Sequence, residues 1–239
     1  MEDIDKLRSW MAESRRMVFF GGAGVSTESG IPDFRSEDGL YKQTYCYPPE
    51  TILSRTFFEH CPEEFFAFYR EKMLCPEARP NLVHQRLAAL KEAGILSAVV
   101  TQNIDGLHQA AGSRRVFELH GSVHRNYCRK CHAFYDMDFM FHTSGVPHCS
   151  CGGIVKPDVV LYEESLDEDV LQGAIETIAD ADLLMVGGTS LAVYPAAGLL
   201  RYYRGHRLVL INKSITPYDG SADLLFQASL GEVFARLDI

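Results

Sequence analysis

Cys128-x-x-Cys131 and Cys149-x-Cys151 form two short arms joined by residues 132–148, with Gly152-Gly153 after the second arm. Two knuckles of this kind can each aim two thiolates at one point and complete a tetrahedron, so the spacing predicts one zinc ion in a small module. The second arm is the shorter C-x-C, and His132 and His148 lie beside it, so a swapped ligand stays open. A redox thiol pair usually opens a helix after a strand, a setting that Tyr127-Cys128-Arg129-Lys130-Cys131 does not resemble. Four thiolates fill the coordination sphere and leave no place for an activated water, which makes the ion architectural. Cys46, Cys61 and Cys75 are scattered, and an odd total of seven cysteines suits a reducing compartment better than a disulfide framework.

With 239 residues, 46% of them hydrophobic and 23% charged, the chain can bury one large core and carry insertions. The apolar runs are about a buried strand in length, too short to span a bilayer, so no membrane partner is expected. The start, MEDIDKLRSW, is acidic and amphipathic and reads as no targeting signal; a cytoplasmic location is the expectation. A net charge of -9 argues against direct nucleic-acid binding and favours cationic partners such as lysine-bearing protein segments.

Apolar runs at 17–20, 95–100, 183–186 and 207–211 are short and rich in Val, Ile, Leu or Met, as strands buried on both faces of a parallel sheet are. Helical patterns lie between them: 81–93 with Leu82, Leu87 and Leu90, 167–179 with Val170, Leu171, Ala174 and Ile178, and 195–204 opening on Pro195. This alternation predicts an α/β fold, a doubly wound Rossmann-like parallel sheet with a small zinc-binding module and a helical insertion. We read a single domain over 1–239. Its Rossmann-like part covers 1–36, 78–122 and 156–239, the helical aromatic insertion 37–77, and the zinc module 123–155.

The loop Gly21-Gly22-Ala23-Gly24-Val25-Ser26-Thr27 follows the first strand directly, where glycines let a pyrophosphate approach the backbone and the N-terminus of the next helix. Thr27 replaces the third glycine of G-x-G-x-x-G, and Glu37 and Asp38 lie in a turn and not at a strand end, which disfavours a hydride-transfer dehydrogenase. The continuation Gly30-Ile31-Pro32-Asp33-Phe34-Arg35 sets an aromatic ring and a guanidinium beside the loop, suited to enclosing the reactive end of a nucleotide. The other strands also end in polar clusters, Thr101-Gln102-Asn103-Ile104-Asp105, Gly188-Thr189-Ser190 and Asn212-Lys213-Ser214. Ligands in open α/β sheets bind at those ends. His120, just after Val116-Phe117-Glu118-Leu119, is a candidate general base.

Taken together, GAGVSTESGIPDFR at 22–35, TQNIDGLHQAAG at 101–112, ELHG at 118–121, the cysteine quartet, KPDVVLYEE at 156–164 and GGTSLAVYPAA at 187–197 resemble the sirtuins, NAD-dependent protein lysine deacylases, in their small bacterial form. The resemblance runs from about residue 15 to the C-terminus. It implies NAD across the sheet ends, with Gly22, Ala23, Gly24, Thr27, Asp33, Phe34 and Arg35 around the phosphates and nicotinamide ribose. Gln102, Asn103, Ile104 and Asp105 would line the nicotinamide pocket, and Gly188, Thr189, Ser190, Asn212 and Lys213 the adenosine half. It further implies catalysis by His120, Asn103 and Asp105, removal of acetyl or similar small or apolar acyl groups, and release of nicotinamide, free lysine and O-acyl-ADP-ribose. An acyl-lysine protein or peptide would add as a strand along Val159, Val160, Leu161 and Tyr162.

Two departures from the family pattern bear on specificity. Glu163-Glu164 stands where the family usually has Gly-Glu, so a side chain at Glu163 restricts the backbone and is expected to favour basic neighbours of the target lysine. Relatives that prefer acidic acyl groups carry Tyr-x-x-Arg, whereas the matching Phe66-Ala67-Phe68-Tyr69 has no Arg in the fourth place, although Arg70 follows. Two other functions remain open on the residues: mono-ADP-ribosyl transfer to another nucleophile, and a dinucleotide sensor without turnover.

Overall fold

The computed structural model describes residues 2–33, 39 and 46–237. Its helices and strands in chain order are α1 (Glu2–Glu13), β1 (Met17–Gly21), α2 (Pro49–Ile52), α3 (Arg55–His60), α4 (Pro62–Phe68), α5 (Leu82–Glu92), β2 (Leu96–Thr101), α6 (Leu107–Ala110), β3 (Val116–Glu118), β4 (Gly121–Cys128), β5 (Phe134–Tyr135), α7 (Met137–His142), β6 (Val155–Val159), α8 (Glu168–Ala179), β7 (Leu183–Gly187), β8 (Leu208–Ile211), β9 (Leu224–Phe226) and α9 (Leu230–Ala235).

Six strands form one sheet in the order β3-β2-β1-β7-β8-β9, every neighbouring pair parallel. The strand order reverses between β1 and β7, which is where a doubly wound sheet opens a crevice at its carboxyl ends. The pleat explains the continuous apolar runs. Met17 and Phe19 face one core with Leu183 and Met185, while Val18 and Phe20 face the other with Leu184 and Val186. Helices α1, α5 and α9 cover the first face, and α8 with the segment Ala196–Tyr202 covers the second. Each large side chain so buried stabilises the fold by about 1.5–3 kcal/mol.

The helix boundaries have local causes. Asn81 and His84 form a capping box at the start of α5, Ser229 and Glu232 do so for α9, and Asp167 caps α8 through the Val170 N–H. The helix expected at 195–204 is a 3-10 helix, Ala196–Tyr202. Gly198 in its middle weakens α-helical winding. The expected helix directly after the glycine loop is likewise absent among the described residues; two single 3-10 turns, Ala23–Val25 and Thr27–Ser29, take its place.

β4, β5 and β6 form a second, antiparallel sheet in the order β5-β4-β6. It shares a third apolar cluster with the aromatic helices, in which Phe57, Phe58, Phe65, Phe66 and Tyr69 pack with Val155, Val159 and Leu161. No helix among the described residues is long and apolar enough to cross a membrane.

Candidate active site

The loops after β1, β2, β7 and β8 line one cleft of about 1250 Å³ at the carboxyl ends of the large sheet. The glycine loop lies directly on the loop after β7: Gly24 N–H donates to Gly188 O at 2.8 Å, and a Cβ on Gly24 would stand 2.7 Å from the Gly188 Cα. Any side chain there would push the two loops apart and change the floor of the cleft. Thr189 joins the third loop, its Oγ1 accepting from Gln102 Nε2 at 3.0 Å. Gly22, Ala23, Thr27, Asp33, Ser190, Asn212 and Lys213 all line the same cleft. Phe34 and Arg35 lie outside the described residues.

Ser26, in the loop after β1, ties down the loop after β2. Its buried Oγ accepts from Asn103 Nδ2 at 3.0 Å and donates to Asp105 Oδ2 at 2.6 Å, and the other Asp105 oxygen accepts from Leu107 N–H. A carboxylate bonded on both oxygens has a fixed orientation, and these charge-assisted bonds are the stronger kind. Ile104 lies between them on the cleft wall.

A bulge in β4 braces this loop from below. The register against β6 jumps from Ser122 to Asn126 while the partner moves only from Asp158 to Pro157. The extra residues reach outward: Val123 N–H donates to Ile104 O, His124 Nε2–H donates to Asp105 O at 3.0 Å, and Arg125 bridges Glu118 and Asp158 at 2.6 and 2.7 Å.

His120 stands on the cleft wall, and its Nδ1–H donates to Gln102 O at 2.9 Å. That bond fixes the neutral tautomer and leaves Nε2 as the accepting nitrogen. Burial lowers the imidazole pKa from its ordinary 6.5, with the Gln102 carbonyl acting in the opposite direction. The ring is therefore held in the form that can accept a proton at neutral pH.

The segment Val159–Tyr162 lines the cleft beside His120, and Val160 N–H donates to His120 O. Much of its main chain is already committed. Tyr162 pairs with Leu53 and Arg55, and Leu161 N–H donates to Glu164 Oε2, which also receives Lys156 Nζ. Glu163 is exposed, and its carboxylate accepts from Thr56 N–H and Oγ1–H, bonds that hold its carboxyl below the usual range. Arg70 donates to Gly145 O and is absent from the cleft wall.

The four cysteine sulfurs lie within 4.8 Å of one another, and three of the pairs are 3.4 to 3.5 Å apart. Zn–S bonds of about 2.3 Å in a tetrahedron require S···S separations of about 3.8 Å, so the quartet fits a zinc ion. The thiols also compete for negative charge. Cys149 is pulled down to about 6 by the Cys151 N–H and the Tyr135 hydroxyl. Cys131, despite the Ala133 N–H, is pushed up to about 12 by the other three thiols. A divalent cation resolves that competition by stabilising all four thiolates. His132 and His148 are not members of the group.

The sequence assigned no role in the site to Ser26, to the 123–125 bulge or to Val193, Tyr194 and Pro195, the last three of which line the cleft too. The motif GGTSLAVYPAA contained the last three; no sequence signal marked the bulge.

Residues 22–195 match the model of the Sir2 family. A Clostridium perfringens protein named NAD-dependent protein deacetylase is 59% identical over 242 residues, 99% of this chain and 99% of its own length. A Clostridium acetobutylicum protein of the same name is 57% identical over 237 residues, 98% and 97% of the two lengths. Among solved structures, a Sir2 variant with deacetylated p53 peptide and 3'-O-acetyl ADP ribose superimposes with a TM-score of 0.90 at 40% identity, covering 98% of this chain and 96% of that one. Sir2 with p53 peptide and NAD+ gives 0.86 at 41% identity, with coverage of 98% and 96%.

Proposed function

The chain belongs to the Sir2 family, and from that premise we propose how its residues share the work of an NAD-dependent protein deacetylase. It removes acetyl and similar small or apolar acyl groups from protein lysines, with nicotinamide, free lysine and O-acyl-ADP-ribose as products. When bound, NAD supplies the ribose carbon from which nicotinamide departs and the hydroxyls that take up the acyl group.

One observation carries the assignment of the base: His120 donates from Nδ1 to Gln102 O on the wall of a cleft at the switch point of the sheet. Its Nε2 accepts the proton of the ribose hydroxyl that attacks the acyl carbon. Asp105, oriented by Ser26 and Leu107, receives the nicotinamide amide, and Asn103, held by Ser26, orders the reacting ribose. Gly22, Ala23, Gly24, Thr27 and Asp33 surround the phosphates and nicotinamide ribose; Gly188, Thr189, Ser190, Asn212 and Lys213 serve the adenosine half.

The acyl-lysine segment lies along Val159–Tyr162 and is held through main-chain hydrogen bonds, which tolerate varied sequences. The Val160 carbonyl, which accepts no hydrogen bond among the described residues, is the acceptor we assign to it, since the neighbouring N–H groups are committed within the fold. Cys128, Cys131, Cys149 and Cys151 hold the zinc ion, which braces the 123–155 module without entering the reaction.

Incubation of an acetylated peptide with and without NAD, followed by mass spectrometry, tests the reading. Loss of the acetyl group only with NAD, together with O-acetyl-ADP-ribose, is expected. A mass gain on protein in its place would mean ADP-ribosyl transfer, and neither product would mean a sensor.

A further inference from the structure

Leu161 to Glu164 form a tight turn, closed by Glu164 N–H to Leu161 O at 3.0 Å, and Glu163 sits in its third position with φ of +74°. That position of a type II turn calls for glycine, because any Cβ there is strained. A strained residue in an active-site wall persists only where its surroundings hold it. Here the holder is the start of α3. Arg55 N–H donates to Tyr162 O, Thr56 N–H and Oγ1–H donate to Glu163 Oε2 at 2.9 and 2.6 Å, and Phe57 N–H donates to Ser54 Oγ. The first N–H groups of α3, unpaired within the helix itself, are thus partly satisfied by the turn that ends the cleft wall.

We propose that Glu163 is a positioning residue for the acylated substrate: its two bonds to Thr56 latch the turn to α3 and thereby fix Val160, Leu161 and Tyr162 where the acyl-lysine segment packs. The proposal rests on the reading that the segment lies along Val159–Tyr162. Phe57 and Phe58 of α3 are buried in the same cluster as Val159 and Leu161, so the latch fastens the wall to a packed element.

Steady-state kinetics with a neutral-flanked acetylated peptide tests the latch, with thermal unfolding confirming that each variant is folded. Glu163→Ala keeps the strain and loses the bonds, and the peptide KM is expected to rise about tenfold. Glu163→Gly loses both strain and bonds and should give a rise of about threefold, while Glu163→Gln keeps an acceptor and should stay within about twofold of the parent. The kcat and the KM for NAD should stay within about twofold in all three. Should Glu163→Ala fail to fold, Thr56→Val, which removes one donor, is expected to raise the peptide KM about threefold. Val160→Lys, in the wall itself, separates the failures. If it raises the peptide KM while the Glu163 and Thr56 variants do not, the latch is wrong and the peptide placement stands. If none of them moves the peptide KM, the placement is wrong and the latch falls with it. Equal changes in kcat and both KM values would also overturn the latch, as the mark of general disruption.

Discussion

The six-stranded and three-stranded sheets keep water from their backbones by different means. Every residue of β1, β7 and β8 is buried, and apolar side chains on both faces are enough to hold these strands. β4 mixes buried and exposed positions and β5 has only two residues, neither of them buried. Cys128 of β4 and Cys149 of the loop before β6 are themselves residues of the core that the smaller sheet shares with the aromatic helices, so there metal ligands add to the packing. The large sheet can consequently afford polar loops at its rim, where the reacting groups stand. The small one supplies support, through the bulge that props Ile104 and Asp105.

The strongest way to break this contrast is to remove a ligand. Cys128→Ser or Cys149→Ser is expected to unfold the small sheet and abolish activity, while far-UV circular dichroism retains the helices that cover the large sheet. A variant with full activity and no bound zinc would dissolve the distinction.

His120→Ala should lower kcat/KM by on the order of 10³-fold with little change in thermal stability. In the parent, burial lowers the His120 pKa, so the neutral base persists below the ordinary value. The acidic limb of kcat/KM is therefore expected below pH of about 6.5 and should vanish in the variant. Ser26→Ala frees both Asn103 and Asp105, and a loss of about 10- to 100-fold is expected, with the KM for NAD rising. An unchanged KM for NAD would remove Ser26 from the nucleotide side of the cleft.

The smallest effect concerns the core beneath the rim. His84 and His108 are buried with ring centroids 4.8 Å apart, and neither nitrogen of His108 has a hydrogen-bond partner among the described residues. Burial lowers His84 to about 4 and His108 to about 3. The unfolded chain binds protons at these sites from about pH 6.5 downward while the folded chain does not, so their contribution to stability falls as pH drops from there toward the folded values. His108→Leu should flatten that loss, raising Tm at pH 5 by several degrees relative to the parent while leaving Tm at pH 8 nearly unchanged. A parallel shift at both pH values would assign the effect to packing alone.

How much of this was legible in the sequence follows the same contrast. Continuous apolar runs marked the central strands, because burial on both faces leaves an apolar signature, and apolar residues spaced along one face marked the 81–93 and 167–179 helices. The two edge strands, β3 and β9, are three residues each and only partly buried, so no comparable run marks them. The cysteine quartet was readable because metal geometry constrains spacing along the chain. Ser26 was not, since its role comes from Asn103 and Asp105 reaching it across the fold. The turning of Glu163 toward Thr56 likewise depends on a helix far away in sequence.

The division between a chemical rim and an architectural metal is tested most directly by chelation. Zinc release, deacetylation of an acetylated peptide and near-UV circular dichroism would be followed together after addition of a chelator. Activity is expected to decline slowly, in step with loss of structure in the small sheet, and added zinc should never substitute for NAD. Immediate loss of turnover with the structure intact would place the metal in the reaction and contradict the account.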